Sequence, residues 1–564
     1  MNSRSVFASP LQQLVDASRA ALTTSGVVGR LWARDYRLWR PEPTEITDRL
    51  GWLTVIGEMQ KQAGSLTSFA RSLRERNIKD VVLLGMGGSS LGPEVLRASF
   101  GSSKGYPRLW VLDSTVPGWV RLVTKAIDPA KTLFIVASKS GGTIEVMSLL
   151  AHFWELAHTR SGNRVGDQFI AITDPGTSLE KLAAERQFWR IFTNPPDIGG
   201  RYSVLSYFGL VPASLLGIDI AKLLAQAAEM AQRCRLQTPI EQNPGADLGA
   251  TMAALAKAGR DKISIMASPA ITSFGLWAEQ LLAESTGKEG TGLVPVAEEP
   301  MVRTSAYGQD RFFVCLRLAG DRNRQLDRQT TSLIRQGHPV MTINLRDRYD
   351  LGSEFFRWEF ATAVAGHLLG IHPFDQPNVQ ESKDNTNRVL RQLQATGSLS
   401  KPASATAAQA ATQLKRLCRA GTYVAMLVFA TPSAKLERAL RSVRKTLISV
   451  YHVTTTAGYG PRYLHSTGQL HKGGPNRCVF LQLLERMHPD VPIPGKTLTF
   501  GTLAQAQAAG DFEALRARHR DVQVISLGAH PVATLNKLRR SLALFRTVRR
   551  ATATSKRRRR SRKQ

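Results

Sequence analysis

The sequence predicts an α/β fold in which two doubly wound, mainly parallel sheets are accompanied by additional helices. From Asp80 onward, short apolar runs rich in β-branched residues alternate with segments of helical length, and the same alternation resumes at Lys262. Strands that are apolar on both faces and separated by helices are typical of parallel sheets covered on both sides. Glycine-rich loops directly after two of these runs indicate strand–loop–helix units.

The first fifty residues precede this alternation and are expected to form an N-terminal extension. Helical spacing of apolar residues predicts helices over Pro10–Leu22 and Thr44–Gln62, on either side of a loop rich in Trp and Arg. We expect this segment to pack on the core that follows.

The remaining elements follow from the same patterns. Strands are expected at residues 81–85, 109–113, 132–138, 169–173, 262–268, 312–318, 339–345, 422–429, 478–484 and 522–528. Helices are expected over most of Tyr202–Gly259, near Glu354–Leu368 and over Pro531–Phe545. The predicted domains are a helical extension (1–60), a first α/β subdomain (61–240), a second with the C-terminal elements (241–545) and a basic tail (546–564).

Composition favours a soluble globular protein. The chain has 564 residues, of which 43% are hydrophobic and 21% charged. Its apolar runs are shorter than the roughly 18 residues that cross a bilayer, and its N-terminus lacks the apolar core of a signal peptide, so we expect a cytoplasmic protein. The four cysteines are far apart and form no CxxC pair, which predicts buried reduced thiols rather than disulfides or a zinc site.

The formal net charge of +31 is the unusual feature of the composition. Ten basic residues lie in residues 546–564 without an acidic neighbour, and this tail is expected to be disordered and to bind polyanions weakly. Residues 395–412, which are small, polar and interrupted by proline, are the most linker-like stretch of the body. A nucleic-acid-associated protein is the alternative, but no recognised nucleic-acid motif accompanies the charge.

Two glycine-rich loops indicate an anion or sugar-phosphate site. The first, GMGGSSLGPEVL at 85–96, follows a strand and opens a helix, with Pro93 expected in the first helical turn. The second, at 137–150, brings Ser138, Ser140 and Thr143 to the turn between a strand and a helix. Hydroxyls and free amides at a helix N-terminus are suited to a phosphate monoester. A tight strand–helix turn is the alternative for either loop taken alone.

Four later positions carry the remaining candidate chemistry. Arg201 lies in a glycine-rich loop before a helix, where a guanidinium can hold a phosphate or an oxyanion. Gln280 and Glu284 are four apart on one otherwise apolar helix, which suits Glu284 to a general-base role, although a solvated acidic position is the alternative. His465 lies among small and polar residues in a loop and suits proton transfer, although a lone histidine is more often structural.

The motif series resembles the glucose-6-phosphate isomerases, and in detail the isomerase portion of bacterial transaldolase fusions. It runs from about residue 30 to 545, and we expect no transaldolase portion because the chain begins near the isomerase part. The motifs that carry the resemblance are GMGGSSLGPE, SKSGGT, GGRYS, QLLAESTGK, FDQPNVQESK and YLHSTGQLHKGG. Single motifs occur in other sugar-isomerase (SIS) domains, whereas the complete series is specific.

The resemblance implies two SIS-type subdomains and a reversible exchange between glucose 6-phosphate and fructose 6-phosphate, in glycolysis or gluconeogenesis, without metal or organic cofactor. It implies a homodimer as well. Glu284 would move a proton between C2 and C1 through a cis-enediolate that Arg201 stabilises, and His465 with Lys383 would open the sugar ring. The substrate phosphate would be bound by Gly88, Ser89, Ser138, Lys139, Ser140, Thr143 and Gln280.

One feature departs from the common isomerases, in which the ring-opening histidine precedes the lysine along the chain. Here Lys383 precedes His465, and His471 is the other candidate for ring opening. Two alternatives for the function stay open at this point. One is a phosphosugar isomerase of broader specificity, for example on mannose 6-phosphate, and the other is a phosphosugar-binding protein without turnover.

Overall fold

Strands and helices alternate along most of the chain. The computed structural model describes residues 3–396 and 402–544, apart from the side chains of 160–163, 379, 382 and 383; the predicted tail at 546–564 lies outside the described residues. The strands in chain order are β1 (Ser3–Val6), β2 (Asp80–Gly85), β3 (Arg108–Leu112), β4 (Thr132–Ala137), β5 (Phe169–Thr173), β6 (Arg190–Thr193), β7 (Lys262–Ala267), β8 (Val294–Val296), β9 (Arg311–Leu318), β10 (Val340–Leu345), β11 (Tyr423–Phe429), β12 (Thr454–Tyr459), β13 (Cys478–Glu485) and β14 (Asp521–Gly528).

Helices connect most of these strands, and residues 531–544 form a final helix after β14. The others are α1 (Ser9–Thr24), α2 (Val27–Trp32), α3 (Val55–Glu75), α4 (Gly88–Phe100), α5 (Pro117–Ala126), α6 (Ile144–Ser161), α7 (Ser178–Glu185), α8 (Tyr207–Leu215), α9 (Ile220–Arg233), α10 (Pro244–Lys257), α11 (Phe274–Thr286), α12 (Arg324–Arg335), α13 (Asp350–Leu369), α14 (Pro377–Thr396), α15 (Ala407–Leu417), α16 (Ala434–Tyr451), α17 (Gly468–Gly473) and α18 (Phe500–Ala517).

The strands form three sheets, and nearly all neighbouring strands in them are parallel. The first sheet has the order β3-β2-β4-β5-β6, the second β1-β10-β9-β7-β8 and the third β12-β11-β13-β14. Only β1 runs antiparallel to its described neighbour, at the edge of the second sheet. The prediction of an α/β fold with mainly parallel sheets is confirmed, and the strands after residue 422 form a third sheet of their own. The division into domains stays a prediction.

The order of the first sheet determines where a ligand can bind. From β2 the chain passes to β3 on one side and then to β4 on the other. Where the winding direction reverses, the loops after two adjacent parallel strands diverge and leave a crevice at their carboxyl ends. Both glycine-rich loops predicted to bind phosphate follow these two strands, β2 and β4.

Of the two helices predicted near the N-terminus, the first is confirmed by α1 and the second begins later than the sequence predicts. The predicted helix Thr44–Gln62 is wrong in its first part, because Thr47–Arg49 and Gly51–Leu53 form single 3₁₀ turns and α3 starts at Val55. The backbone N–H of Gly51 donates to the carbonyl of Asp197 at 2.8 Å, which takes it out of a continuous helix. The mostly helical stretch predicted over Tyr202–Gly259 is confirmed by α8, α9 and α10.

Two stretches predicted as irregular contain helices. The segment 372–388, in which Pro, Asp and Asn residues predict turns, enters α14 at Pro377, because a proline is well suited to the first position of a helix. The predicted linker 395–412 contains the start of α15 at Ala407, where Thr406 and Gln409 form a capping box. Apolar residues on one face of α15 are buried, so this helix packs on the body, whereas residues 397–401 of the predicted linker lie outside the described residues.

Pro93 lies in the second turn of α4 and not in the first, because the helix already starts at Gly88. The amides of Ser89 and Leu91 donate to the carbonyls of Met86 and Gly87, which brings the helix start forward to the end of β2. The prediction of free thiols is confirmed, since all four cysteines are free and three are buried. In the described part of the chain no helix has the length and apolar character needed to span a membrane.

The contact between α6 and α18 predicts an acid-sensitive fold. The imidazole of His152 lies edge-on to Phe500, and its Nε2 is 3.0 Å from the hydroxyl of Thr124. That hydroxyl donates its single proton to a backbone carbonyl, so Nε2 of the imidazole donates to the hydroxyl oxygen. Burial lowers the pKa of His152 from 6.5 to about 4. Between these values the unfolded chain binds a proton that the folded chain does not, so stability decreases as the pH falls through this window.

We expect the replacement His152→Gln to remove part of this acid sensitivity. Each unit of pKa lowering is worth about 1.4 kcal/mol, and with partial exposure we expect His152 to account for about 1 to 2 kcal/mol of the loss. Urea unfolding at about pH 7 and about pH 4.5 measures the loss for each protein. His158→Gln, at an exposed position of the same helix, is the control. An equal loss in wild type and His152→Gln would contradict the prediction.

Candidate functional site

The two glycine-rich loops meet at the carboxyl ends of β2 and β4. Ser89 lies in the first turn of α4, and Ser138 follows β4 directly; both are buried. The hydroxyls of Ser138 and Thr143 are 3.0 Å apart, so the second loop folds its hydroxyls toward one another. Ser140 and Thr143 line a cavity of about 460 Å³ at this edge of the sheet. The amides at the start of α6 open into the same region, where an anion is favoured.

Glycine is required at two positions of the first loop. Gly87 has a φ of +56°, and a Cβ there would lie 2.6 Å from the carbonyl oxygen of His465 and 2.9 Å from the amide of Gln280. A Cβ on Gly88 would overlap the carbonyl group of Gly200. The absence of these side chains lets the loop, α11 and the segments around residues 200 and 465 approach one another.

The helix α11 presents the predicted base beside the predicted cation. The carboxylate Oε1 of Glu284 is 3.3 Å from Nη1 of Arg201, and both side chains are almost completely buried. The Nε2 of Gln280 donates to Glu284 Oε2 at 3.0 Å and to the carbonyl of His465 at 2.8 Å. The structure therefore brings Glu284, Arg201 and Gln280 together in one hydrogen-bonded group.

Arg201 is fixed by acceptors from distant parts of the chain. It lies in the 3₁₀ turn Gly200–Tyr202, and only 2% of its surface is exposed. Its Nε donates to the hydroxyl of Ser285 at 2.9 Å, and Nη1 donates to Gln376 Oε1 at 2.6 Å. Nη2 donates to the carbonyls of residues 373 and 375 at 2.9 and 2.8 Å. Apart from Glu284, these partners are neutral, so they fix the position of the guanidinium without adding a second negative charge.

The segment around residue 372 accepts hydrogen bonds from Arg201, and its backbone is fixed in turn by Lys288. This residue, which the sequence analysis did not single out, is buried at the end of α11, and its ammonium pairs with the carboxylate of Asp375. It also donates to the carbonyls of His372 and Asp375, and the second of these is shared with Arg201. Burial, followed by the nearby charge of Arg201, lowers the pKa of Lys288 to about 7.

His465 belongs to a chain of hydrogen bonds across two sheets. Its Nε2 is 2.8 Å from Oε1 of Glu145, the second residue of α6. The same oxygen accepts from Nε2 of Gln507 on α18 at 2.6 Å, and Thr115 donates to the amide oxygen of Gln507 at 2.7 Å. Glu145 is buried, and sequence reasoning missed it because an acidic residue in the first turn of a helix is common for electrostatic reasons alone.

The structure also places the other predicted residues. His471 is buried, with its ring 5.0 Å from Phe480, and burial lowers its pKa well below the ordinary value. It packs in the interior, whereas His465 lines the cavity. The ammonium of Lys139 pairs with Asp174. Lys383 lies in α14, but its side chain is outside the described residues; Thr386 of the same helix lines the cavity.

The cavity lies at one end of the hydrogen-bonded group formed by Glu284, Arg201 and Gln280. Its lining includes Ser140, Thr143, Glu145, His465 and Lys496. Glu284 and Arg201 are not part of this lining, but Gln280 links them to it through its contacts with Glu284 and the backbone of His465. The arrangement combines a hydroxyl-rich anion pocket, an imidazole–carboxylate pair and a carboxylate beside a fixed guanidinium. Such groups can move protons on a phosphorylated substrate and stabilise a negatively charged oxygen.

Comparisons with known proteins agree with this chemistry. The family model of phosphoglucose isomerase matches residues 55–294, which include Arg201 and Glu284. The glucose-6-phosphate isomerase of Rubrobacter xylanophilus is 30% identical over 361 residues, covering 56% of this chain and 83% of that protein. The glucose-6-phosphate isomerase of Carboxydothermus hydrogenoformans is 28% identical over 385 residues, covering 59% of this chain and 82% of that protein.

Solved structures show the same fold. A hypothetical protein from Thermus thermophilus superposes with a TM-score of 0.57 at 24% identity, over 69% of this chain and 100% of that one. The glucose-6-phosphate isomerase of Chlamydia trachomatis superposes with a TM-score of 0.51 at 18% identity, over 68% of this chain and 86% of that one. The sequence identity to the isomerase of Rubrobacter xylanophilus, together with the match to the family model, confirms the resemblance to the glucose-6-phosphate isomerases: the chain belongs to the phosphoglucose isomerase family.

Proposed function

We propose that this protein interconverts glucose 6-phosphate and fructose 6-phosphate. The observation that carries the proposal is the buried carboxylate of Glu284 held 3.3 Å from the guanidinium of Arg201, next to two loops suited to a phosphate. Moving a proton between the two carbons of an aldose–ketose pair requires a base and a fixed positive charge for the oxygen that becomes negative. The family relationship supports this choice of substrate.

The reaction we propose begins with opening of the sugar ring at His465. Ring opening moves a proton from the anomeric hydroxyl to the ring oxygen. Because Nε2 of His465 faces Glu145, Nδ1 is the nitrogen that can exchange this proton. We assign Lys383 to the same step, as the resemblance implies.

In the next step Glu284 removes the proton from C2 of the open-chain aldose. The electron pair forms a cis-enediolate, and its oxygen is stabilised by the charge of Arg201. Return of the same proton from Glu284 to C1, with transfer of a proton from the C2 oxygen to the C1 oxygen, gives the ketose. For the phosphate, the resemblance implies Gly88, Gln280 and the residues of the two loops, Ser89, Ser138, Lys139, Ser140 and Thr143. Of the loop residues, Ser140 and Thr143 line the cavity, whereas the ammonium of Lys139 pairs with Asp174. A cytoplasmic homodimer stays a prediction from the sequence.

The first experiment adds fructose 6-phosphate to the full-length protein and detects glucose 6-phosphate through a coupled dehydrogenase, with excess EDTA present. We expect turnover that survives the chelator, because Glu284 and Arg201 supply the base and the positive charge. Mannose 6-phosphate assayed in parallel measures the breadth of specificity at C2. Binding of fructose 6-phosphate without turnover of any hexose phosphate would contradict the proposal.

A further inference from the structure

A lysine that follows strand β13 of the third sheet lines the cavity at the carboxyl edge of the first sheet. Lys496 lies in the loop between β13 and α18 and lines the cavity together with Ser140 and Thr143. Its ammonium is 3.4 Å from the hydroxyl of Ser148, in the second turn of α6. No local sequence pattern marks this residue, because it lies more than 300 positions from the loop that it faces.

The backbone of the Lys496 turn is well anchored. The N–H of Lys496 donates to the carbonyl of Ile493 at 3.1 Å, and Gly495 between them has a φ of +70°. Ile493 is buried in the same hydrophobic cluster as Val146 and Leu149 of α6. The base of the loop is therefore packed against the helix whose N-terminus faces the cavity, and the position of Lys496 follows from that packing.

The positive charges around Lys496 favour binding of an anion. The N-terminus of α6 carries the positive end of the helix dipole, and an ammonium beside it is unfavourable unless a negative group lies between them. In the described part of the chain no carboxylate lies within ion-pairing distance of Lys496, and the nearby Glu145 already binds His465 and Gln507. Lys496 as a whole is exposed, and the partial desolvation of its ammonium lowers its pKa, the direction expected without a counter-charge.

Lys139, the lysine within the second loop, is differently placed. Its ammonium pairs with Asp174 and donates to the carbonyl of Pro196 at 3.0 Å, and it does not line the cavity.

We propose that Lys496 binds the phosphate group of the substrate, together with the hydroxyls of Ser140 and Thr143. The inference rests on the proposed function for the identity of the phosphate ester, but the anion site itself does not.

Steady-state kinetics of Lys496→Gln with fructose 6-phosphate test this assignment. A hydrogen bond from a charged group to the phosphate is made alike in ground and transition states, so its loss raises KM and leaves kcat nearly unchanged. We expect KM to rise about 10- to 100-fold, and Lys496→Arg to restore most of the affinity. Lys435→Gln removes the same charge from an exposed position of α16 and should leave both constants unchanged.

Inorganic phosphate separates this inference from the proposed function. Its binding to full-length wild type and Lys496→Gln is measured by calorimetry, independently of turnover. Weaker phosphate binding in the variant supports the anion site even if the wild type shows no isomerase activity. An unchanged KM with an active enzyme, or equal phosphate affinities of the two proteins, would overturn the assignment of Lys496.

Discussion

Replacing Glu284 by glutamine is expected to lower kcat by about 10²- to 10⁴-fold, the range typical for loss of a general base. Glutamine keeps the size of the side chain and can still contact Gln280 and Arg201, so the site should retain its shape. It cannot accept a proton from carbon. The coupled assay measures turnover, and calorimetry with fructose 6-phosphate is expected to show that binding is retained.

The neighbouring residue Glu279 provides a matched control for this experiment. It is buried on the same helix, and burial raises its pKa to about 8, so at neutral pH the side chain is largely protonated. Glutamine is a close copy of a protonated glutamate, and we expect Glu279→Gln to keep nearly full activity. Turnover at the wild-type level in Glu284→Gln would remove Glu284 from the role of base.

Local patterns predicted those parts of the site that are built from consecutive residues. The loops after β2 and β4 could be located because a strand, its glycine-rich turn and the next helix are adjacent in sequence. Gln280 and Glu284 could be placed on one face because a helix has a fixed period. The spacing of Leu50 and Leu53 also predicted a helix. The segment forms 3₁₀ turns instead, because the N–H of Gly51 donates to the backbone carbonyl of Asp197.

Contacts between distant segments could not be predicted from such patterns. Glu145 and His465 are 320 positions apart, and neither carries a local sign of the other. Lys288 is the last residue of the motif QLLAESTGK, but its partner Asp375 comes from the segment before α14. The pairing depends on how the elements pack in three dimensions, which a period of two or 3.6 residues does not encode.

The third sheet illustrates how this packing contributes to the site. His465 follows β12, and Gln507, which holds Glu145, lies on α18. Glu145 itself belongs to α6 beside the first sheet. The imidazole and the carboxylate that orients it therefore come from different sheets, so we expect the histidine to be positioned correctly only when these parts of the fold are packed together.

Replacing Arg201 by lysine is expected to lower kcat by about 10²- to 10³-fold, the typical cost of removing one preorganised donor to an oxyanion. Lysine keeps the charge but cannot reproduce the planar set of donors that reaches Ser285, Gln376 and two backbone carbonyls. The ammonium would be drawn toward a subset of these acceptors and away from the developing negative charge. Turnover of Arg201→Lys in the coupled assay measures the effect.

Loss of structure must be separated from loss of charge stabilisation, because Arg201 is buried and its acceptors lose their donor. Arg311→Lys replaces another buried arginine, which lies on β9 of the second sheet and pairs with Glu299. This control should leave kcat unchanged. In Arg201→Ala, added guanidinium at a concentration too low to unfold the protein is expected to restore part of kcat. Such rescue requires an intact pocket that lacks only the cation. Wild-type turnover in Arg201→Lys would show that the enediolate is stabilised by another group.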